Sequence, residues 1–487
     1  MKIKRSEALF IALTGLITML ICTKSSPLYP VNDWTDANCY MTVGRAITKG
    51  KLPYRDLFEH KGPLLYFLHA AGALISDDSF FGVFIFETVA CICFLMLFYV
   101  LLRKYTGRPA LWTVPFISMT VYSSQAFCHG DSAEEFCLPL ILSSIMIWLD
   151  ATESGKAPSD KRAFLMGAFS GIVFWTKFNL LGAYAGAFLV IAVILLKNGI
   201  APLIRMCGFM ALGFGAVSFP VIIYFAAHNS LADLWEVYFY DNIFAYGGKK
   251  TPVLCNLADG AVFTMRFFPV GSAVIMSGIV AAVCVGRKRY VLYVIASLCT
   301  AFAGAFAGHL SYKYYPLILA PFTTFFAVPL IDILRKKALG TMRFSAAFSL
   351  ILCTAAAFIL TPNRYLMKYS RSQLPQYRFA EIINKTEKPS LLNYGFLDGG
   401  FYLAAGIIPD QYYFCRNNTE LKEMIDSQNI CVQAGIPDYV VARNVAGTPP
   451  ELPGYTCIAE EEFPYYDKNL HYYLFERNEE EYYGYIR

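Results

Sequence analysis

Read from the N-terminus, the chain alternates apolar runs with short clusters of Lys and Arg. The runs are Leu9–Cys22, Phe80–Leu102, Pro109–Ala126, Phe136–Leu149, Phe164–Phe174, Leu180–Leu196, Met206–Ala226, Phe267–Val285, Tyr290–Gly308, Tyr315–Leu334 and Ser345–Thr361. A segment that must satisfy all its backbone groups internally folds as a helix, and about 20 residues cross a bilayer. Several runs are shorter, so their helices are expected to extend into the flanks. Phe164–Leu196, interrupted at Lys177 and Asn179, reads as two spans or as one helical hairpin. From about Gln373 the pattern changes. Tyr377–Asn384 reads as a helix and Ser390–Tyr394 as a short apolar run. Gln411–Cys415, Asp438–Ala442 and His471–Phe475 read as strands. Thr419–Ser427 is amphipathic, with Asn418 or Thr419 as its cap. Gly395–Tyr402 is expected to be a glycine-bearing loop, and Glu460–Glu462 is an acidic landmark. Helices mixed with strands predict a small α/β domain here.

Composition sharpens the division. Of 487 residues 56% are hydrophobic and only 16% charged, with a mean hydropathy of +0.44. A soluble domain carries about 25% charge. Met1–Met367 holds 30 Lys and Arg against 19 Asp and Glu, whereas Lys368–Arg487 holds 11 against 17. The expectation is an α-helical polytopic membrane protein of about 11 spans over residues 1–365, followed by a small α/β domain over 366–487. Basic clusters at Lys2, Lys4 and Arg5, at Arg103, Lys104 and Arg108, at Arg287–Arg289 and at Arg335–Lys337 all fall on the N-terminal side. Positive residues concentrate on the cytoplasmic face, so an odd number of spans puts the tail outside, in a bacterial plasma membrane. The outside loops are then 23–78, 127–135, 228–262 and 309–314. The first span lacks a small-residue cleavage site and reads as a retained anchor. Most of the fourteen cysteines sit in apolar runs. Among Cys415, Cys431 and Cys457 in the tail, one pair is compatible with a disulfide, and spacing does not say which. GxGxxG, GxxxxGK[ST], HExxH and GxSxG are absent, which argues against an ATP-driven pump and a zinc protease. Nothing in the pattern calls for nucleic acid.

Chemistry concentrates in the outside loops. Asp36 and Tyr40 are four apart and share a face if Thr35–Ile47 is helical. Met41, Val43, Ala46 and Ile47 would let that helix lie at the membrane surface. Gly50 ends it, Pro53 begins a turn, and Asp56, Glu59, His60 and Lys61 follow. Gly62-Pro63 then precedes a second amphipathic segment, Leu64–Ile75. Carboxylates and a lysine between two interfacial helices sit at head-group level; the competing reading is a solvated loop whose lysine snorkels to phosphates. Glu134 and Glu135 follow Asp131 and Ser132, as substrate ligands or as acids favoured at a helix N-terminus. Lys177 interrupts an apolar stretch, either as a donor contact or as a snorkelling cation. Glu87 and Arg266 are placed for an ion pair or for binding. Tyr238, Asp241, Asn242 and Tyr246 lie in a loop able to cover a donor. Tyr312, Tyr314 and Tyr315 line a groove or form an interfacial aromatic belt.

The first loop resembles that of the polyprenyl-phosphate-sugar-dependent glycosyltransferases of the GT-C superfold, which include protein O-mannosyltransferases and the lipid A aminoarabinose transferase. The residues that carry the likeness are Asp36 and Tyr40, Gly50, Pro53-Tyr54, Asp56 and His60-Lys61-Gly62-Pro63, with Gly62 where many relatives have proline. GDSAEEFCLP (Gly130–Pro139) and HLSYKYYPLILAP (His309–Pro321) add weaker likeness. The resemblance implies an inverting transfer from a polyprenyl-phosphate-linked sugar to a cell-surface acceptor on the outer face, among membrane lipids. It implies Asp36 as the base and Lys61 at the leaving phosphate with Arg55 or His60 assisting, with Tyr40 and Asp56 at matched positions in binding; Lys177 and Tyr314 are candidate binding residues by their placement alone. Glu134 and Glu135 would orient sugar hydroxyls or hold a divalent cation with Asp36 and His129; no other cofactor is implied. The alternative is a transporter or flippase of lipid-linked intermediates, which should show paired halves with broken helices; no such breaks are expected.

Overall fold

The computed structural model describes residues 3–106, 110–245, 251–308, 311–337, 345–419, 421–465 and 468–478. Arg108, Tyr246 and His309 lie outside them. Each apolar run coincides with a helix: Arg5–Cys22, Phe81–Thr106, Thr113–Tyr122, Ala133–Ser154, Asp160–Lys177, Gly182–Leu196, Ala201–Ala227, Pro269–Cys284, Lys288–Phe306, Ala320–Lys337 after the 3-10 turn Tyr315–Leu319, and Ala346–Leu360. Among the described residues, six helical runs are long and apolar enough to cross a membrane alone, with Asp160–Leu196 counted as one run. The interruption at Lys177 and Asn179 is the 3-10 turn Phe178–Leu181. One span is not straight. Val253–Phe267 and Pro269–Cys284 meet at 108°, which corrects the expectation of unbroken helices. Pro269 has no N–H to continue the first helix, and Phe268 has left the helical region (φ −133°, ψ 49°).

The chain forms two compact units. One comprises Met1–Leu28, Phe84–Tyr224 and Lys249–Tyr365 and is a helical bundle. Lipid supplies no hydrophobic drive between its helices, so close backbone approach at small residues does much of the packing. A Cβ at Gly186 would lie 2.0 Å from the Ala296 carbonyl oxygen, and one at Gly167 would lie 1.9 Å from that of Met210.

The other unit comprises Tyr29–Val83, Phe225–Gly248 and Leu366–Arg487. Helices Thr35–Thr48 and Pro63–Ile75 stand where the first-loop pattern predicts them. The first stops at Gly50, in the left-handed region at φ 87°; Pro63 opens the second, where its missing N–H costs nothing. Leu234–Ala245 is a π-helix. The tail carries β1 (Leu391–Asn393), β2 (Tyr439–Asn444), β3 (Tyr455–Tyr465) and β4 (Lys468–Arg477), in the order β1-β2-β4-β3. β1 and β2 are parallel, joined by a crossover that includes helix Lys422–Gln433; β2–β4 and β3–β4 are antiparallel. Leu392, Val440, Ala442, Tyr473 and Phe475 form its core with Val432.

Three details of the tail differ from expectation. Gln411–Cys415 is not a strand; the Tyr412 carbonyl instead accepts from the Phe58 N–H at 2.9 Å. Lys422–Gln433 begins after the proposed caps, because Asn417 Oδ1 accepts from the Thr419 N–H and closes a local turn. β3, which includes Glu460–Glu462, was not expected; a strand of acids on a solvated face lacks the apolar alternation that marks one.

Candidate active site

In the second unit the turn after Gly50 builds a compact polar centre. Tyr54 lies in the left-handed region (φ 70°), a costly conformation for a bulky residue. It is retained because its ring stacks on Phe225 at 5.5 Å and its hydroxyl donates to the Lys61 carbonyl at 2.6 Å. Beyond the turn, Lys61 Nζ stands 3.0 Å from His60 Nε2 and 3.9 Å from Glu59 Oε1. His60 Nδ1 is 3.3 Å from Glu59 Oε1. His60 Nδ1 also lies 3.4 Å from Asn417 Nδ2, and the tautomer sets which of these neighbours it bonds. Glu59 Oε2 also accepts from the Lys61 N–H at 3.0 Å and from the Tyr66 hydroxyl. Asn242 Nδ2 donates to the His60 carbonyl at 2.6 Å. The Lys61 side chain is 11% exposed and Glu59 only 3%, so the cation is oriented by buried partners rather than free in solvent.

Helix Thr35–Thr48 supplies the neighbouring wall. The Tyr40 ring lies 6.0 Å from Lys61 Nζ and meets His69 edge-on at 5.5 Å. Asp36, half-buried in the first turn of that helix, is one turn before Tyr40 on the same face. Arg55 and Asp56 have a different place. They pair with each other at 2.8 Å, and Asp56 Oδ2 accepts from the Leu52 N–H at 2.7 Å. The Arg55 guanidinium holds the Asp56 carboxyl below its usual range. These contacts close the turn. Asp241 is buried beside Glu236 and Glu423, and desolvation first, then these two acids, raises its carboxyl to about 6.

In the first unit, Ser132 caps helix Ala133–Ser154, its hydroxyl accepting from the Glu135 N–H. Glu134 and Glu135 therefore occupy a first turn, yet each has further partners. Lys177 Nζ is 2.6 Å from Glu134 Oε1 and sits over the rings of Tyr315 (4.6 Å) and Tyr314 (5.1 Å). Glu135 Oε2 and Glu87 Oε1 both accept from the Asp131 N–H, at 2.9 and 2.7 Å, and Glu87 also accepts from Thr23 Oγ1 at 2.7 Å. Gly130 turns the chain there at φ 85°; a Cβ would lie 2.2 Å from Thr23 Oγ1. His129 is buried, and desolvation, with Lys24 and Lys313 nearby, holds its ring well below the ordinary imidazole range. The ion pair of Glu87 with Arg266 does not form: Glu87 bonds to Thr23 and Asp131, while Arg266 lies over Phe267.

Of the ten residues singled out in sequence, Tyr40, His60 and Lys61 converge in the second unit, with Asp36 one turn away. Glu134, Lys177 and Tyr314 converge in the first unit. Tyr66 was passed over, and Glu59 and Tyr54 were named without a role of their own. Glu59 had a signal, a carboxylate two residues before Lys61 in the same polar run. No group of three or more His, Cys, Asp or Glu suited to hold a metal ion occurs among the described residues.

A many-helix membrane bundle, a first loop of two helices and a small sheet-bearing tail together make the GT-C fold, as the first-loop resemblance implied. Solved structures that share it include ArnT from Cupriavidus metallidurans, a lipid A aminoarabinose transferase. The crystal structure bound to undecaprenyl phosphate matches with a TM-score of 0.64 at 11% identity, over 96% of this chain and 97% of that one. The apo structure matches at 0.61 and 10% identity, with the same coverage. At this identity the likeness is one of fold. No protein-family model and no curated protein matches the chain.

Proposed function

We propose that this multi-pass membrane protein is an inverting glycosyltransferase that moves a sugar from a polyprenyl-phosphate donor to a cell-surface acceptor, with its N-terminus in the cytoplasm and its tail outside. The observation that carries this reading is the Lys61–His60–Glu59 relay, a partly shielded cation oriented by buried partners beside the helix of Asp36 and Tyr40. A departing polyprenyl phosphate gains negative charge as the sugar C1–O bond breaks. A pre-oriented ammonium stabilises that charge without reorganising. In the same step the acceptor oxygen bonds to C1 from the opposite face and its proton passes to Asp36; general-base assistance of this kind contributes roughly 10²–10⁴-fold. Tyr40 packs beside the lysine. The undecaprenyl phosphate in the ArnT crystal structure supports the donor class.

The transporter reading draws on one observation, the 108° break at Phe268. A transporter of inverted repeats needs a matching break in its other half, and no second bent pair occurs among the described residues. Two measurements test the proposal. A strain lacking the protein should accumulate one lipid-linked sugar, and purified protein should transfer that sugar from the lipid with inversion. Accumulation of the lipid on the cytoplasmic leaflet, with no transfer by purified protein, would support the flippase instead.

A further inference from the structure

Cys39 and Cys415 stand apart from the other cysteines. Cys39 lies on helix Thr35–Thr48 and Cys415 in the tail, 376 residues away, yet their Sγ atoms are 3.6 Å apart and both residues are only 1% exposed. Cys39 heads a stripe of that helix that holds the tail. Three residues on, Thr42 Oγ1 donates to Asp398 Oδ2 at 2.6 Å; a further three on, Arg45 Nη1 donates to the carbonyls of Tyr402 and Ile407, each at 3.2 Å. The thiol pair lies at the end of this stripe nearest Asp36 and Tyr40. The partner of Cys415 is thus in the first loop, outside the tail trio of Cys415, Cys431 and Cys457.

We infer that Cys39 and Cys415 are joined by a disulfide in the mature protein, a covalent fastening of the tail to the helix that carries Asp36 and Tyr40. The inference rests on the proposed reading that this unit faces the outside, where disulfides form and persist. A sulfur–sulfur bond is about 2.05 Å long, so the atoms need to approach by about 1.5 Å, the scale of a side-chain rotation. The two thiols lose two protons and two electrons. The electrons pass to the disulfide of an exchange partner, which leaves as a dithiol. Burial pushes both thiols above their ordinary pKa, and thiolate is the reactive form. The bond is therefore made while the segments are still open during folding, and afterwards the same burial shields it from reductants.

The test uses the full-length protein, with thiols blocked by N-ethylmaleimide at lysis, denatured and digested without reductant. A Cys39–Cys415 peptide that disappears on reduction is expected, and in Cys39→Ser the Cys415 thiol should become fully alkylated. Alkylation of both cysteines in the wild-type protein overturns the inference. Cys457, exposed in the same unit, reads the orientation separately. Its labelling on intact cells by a membrane-impermeant maleimide supports an outside tail; no labelling overturns that orientation, whatever the state of the Cys39–Cys415 pair.

Discussion

Replacing Lys177 by Met tests whether the first-unit cluster is scaffold or machinery. The Lys177 and Glu134 side chains are 12% and 2% exposed and 2.6 Å apart. Glu134 Oε2 has no hydrogen-bond partner among the described residues, so the lysine is what compensates the buried carboxylate. Removing one member of a buried pair costs roughly 3–5 kcal/mol; losing the cation from above Tyr314 and Tyr315 adds about 1–2 kcal/mol. Lys177→Met should therefore lower the apparent unfolding temperature in detergent by several degrees. The double variant Lys177→Met with Glu134→Gln leaves no uncompensated charge and should recover most of the loss, because contacting residues couple rather than add. Turnover from a lipid-linked donor is the second readout. A lysine that also meets the donor leaves the double variant stable but impaired. Wild-type stability in Lys177→Met would refute the buried pair, and full activity in the double variant would make the cluster purely structural.

Other outcomes follow from the second unit. Asp36→Asn should cut turnover by roughly two to four orders of magnitude with donor binding kept; buried Asp33, changed to Asn, is the control, and a larger loss there would move the base. Lys61→Ala should weaken donor binding and turnover together. Glu59→Gln, which removes a charged acceptor from the relay, should cost roughly 1.5–3 kcal/mol of transition-state stabilisation, about 10–150-fold in kcat/KM; unchanged kinetics would refute the relay. Asp398 is raised from 3.8 to about 6, chiefly by desolvation. A carboxyl raised on folding favours its protonated form in the folded state. Its contribution is complete below about pH 4 and is lost as pH rises through about 6, roughly 3 kcal/mol in all. Asp398→Asn should flatten that slope in unfolding midpoints measured from pH 4 to 8, and an unchanged slope would refute it.

The helices were legible because apolar runs in lipid leave few alternatives: every run became a helix. The first loop was legible because Gly50 and Pro63 are strong local punctuation around two amphipathic stretches. What escaped had no local signature. The bend at Phe268 joins an apolar run to a helix, Val253–Phe267, that lies mostly within an expected loop. β3 is an edge strand whose acids, such as Glu461 paired with Arg378 at 2.7 Å, are spoken for by partners far along the chain. Gln411–Cys415 has strand composition, but its carbonyls accept from the Phe58 N–H and from the side chains of Gln428 and Tyr402. Arg55 and Asp56 pair with each other, a contact between adjacent opposite charges that spacing alone does not reveal.

The order of synthesis gives the interleaved second unit a particular problem. Thr42 leaves the ribosome 356 residues before its partner Asp398. At roughly 5–20 residues per second, helix Thr35–Thr48 waits about 20–70 s for the tail that covers Cys39, Thr42 and Arg45. Throughout that interval its docking stripe is bare while spans are still being inserted. A chain that stops after Arg364 would never cover it, and would meet quality-control proteases with that stripe still bare.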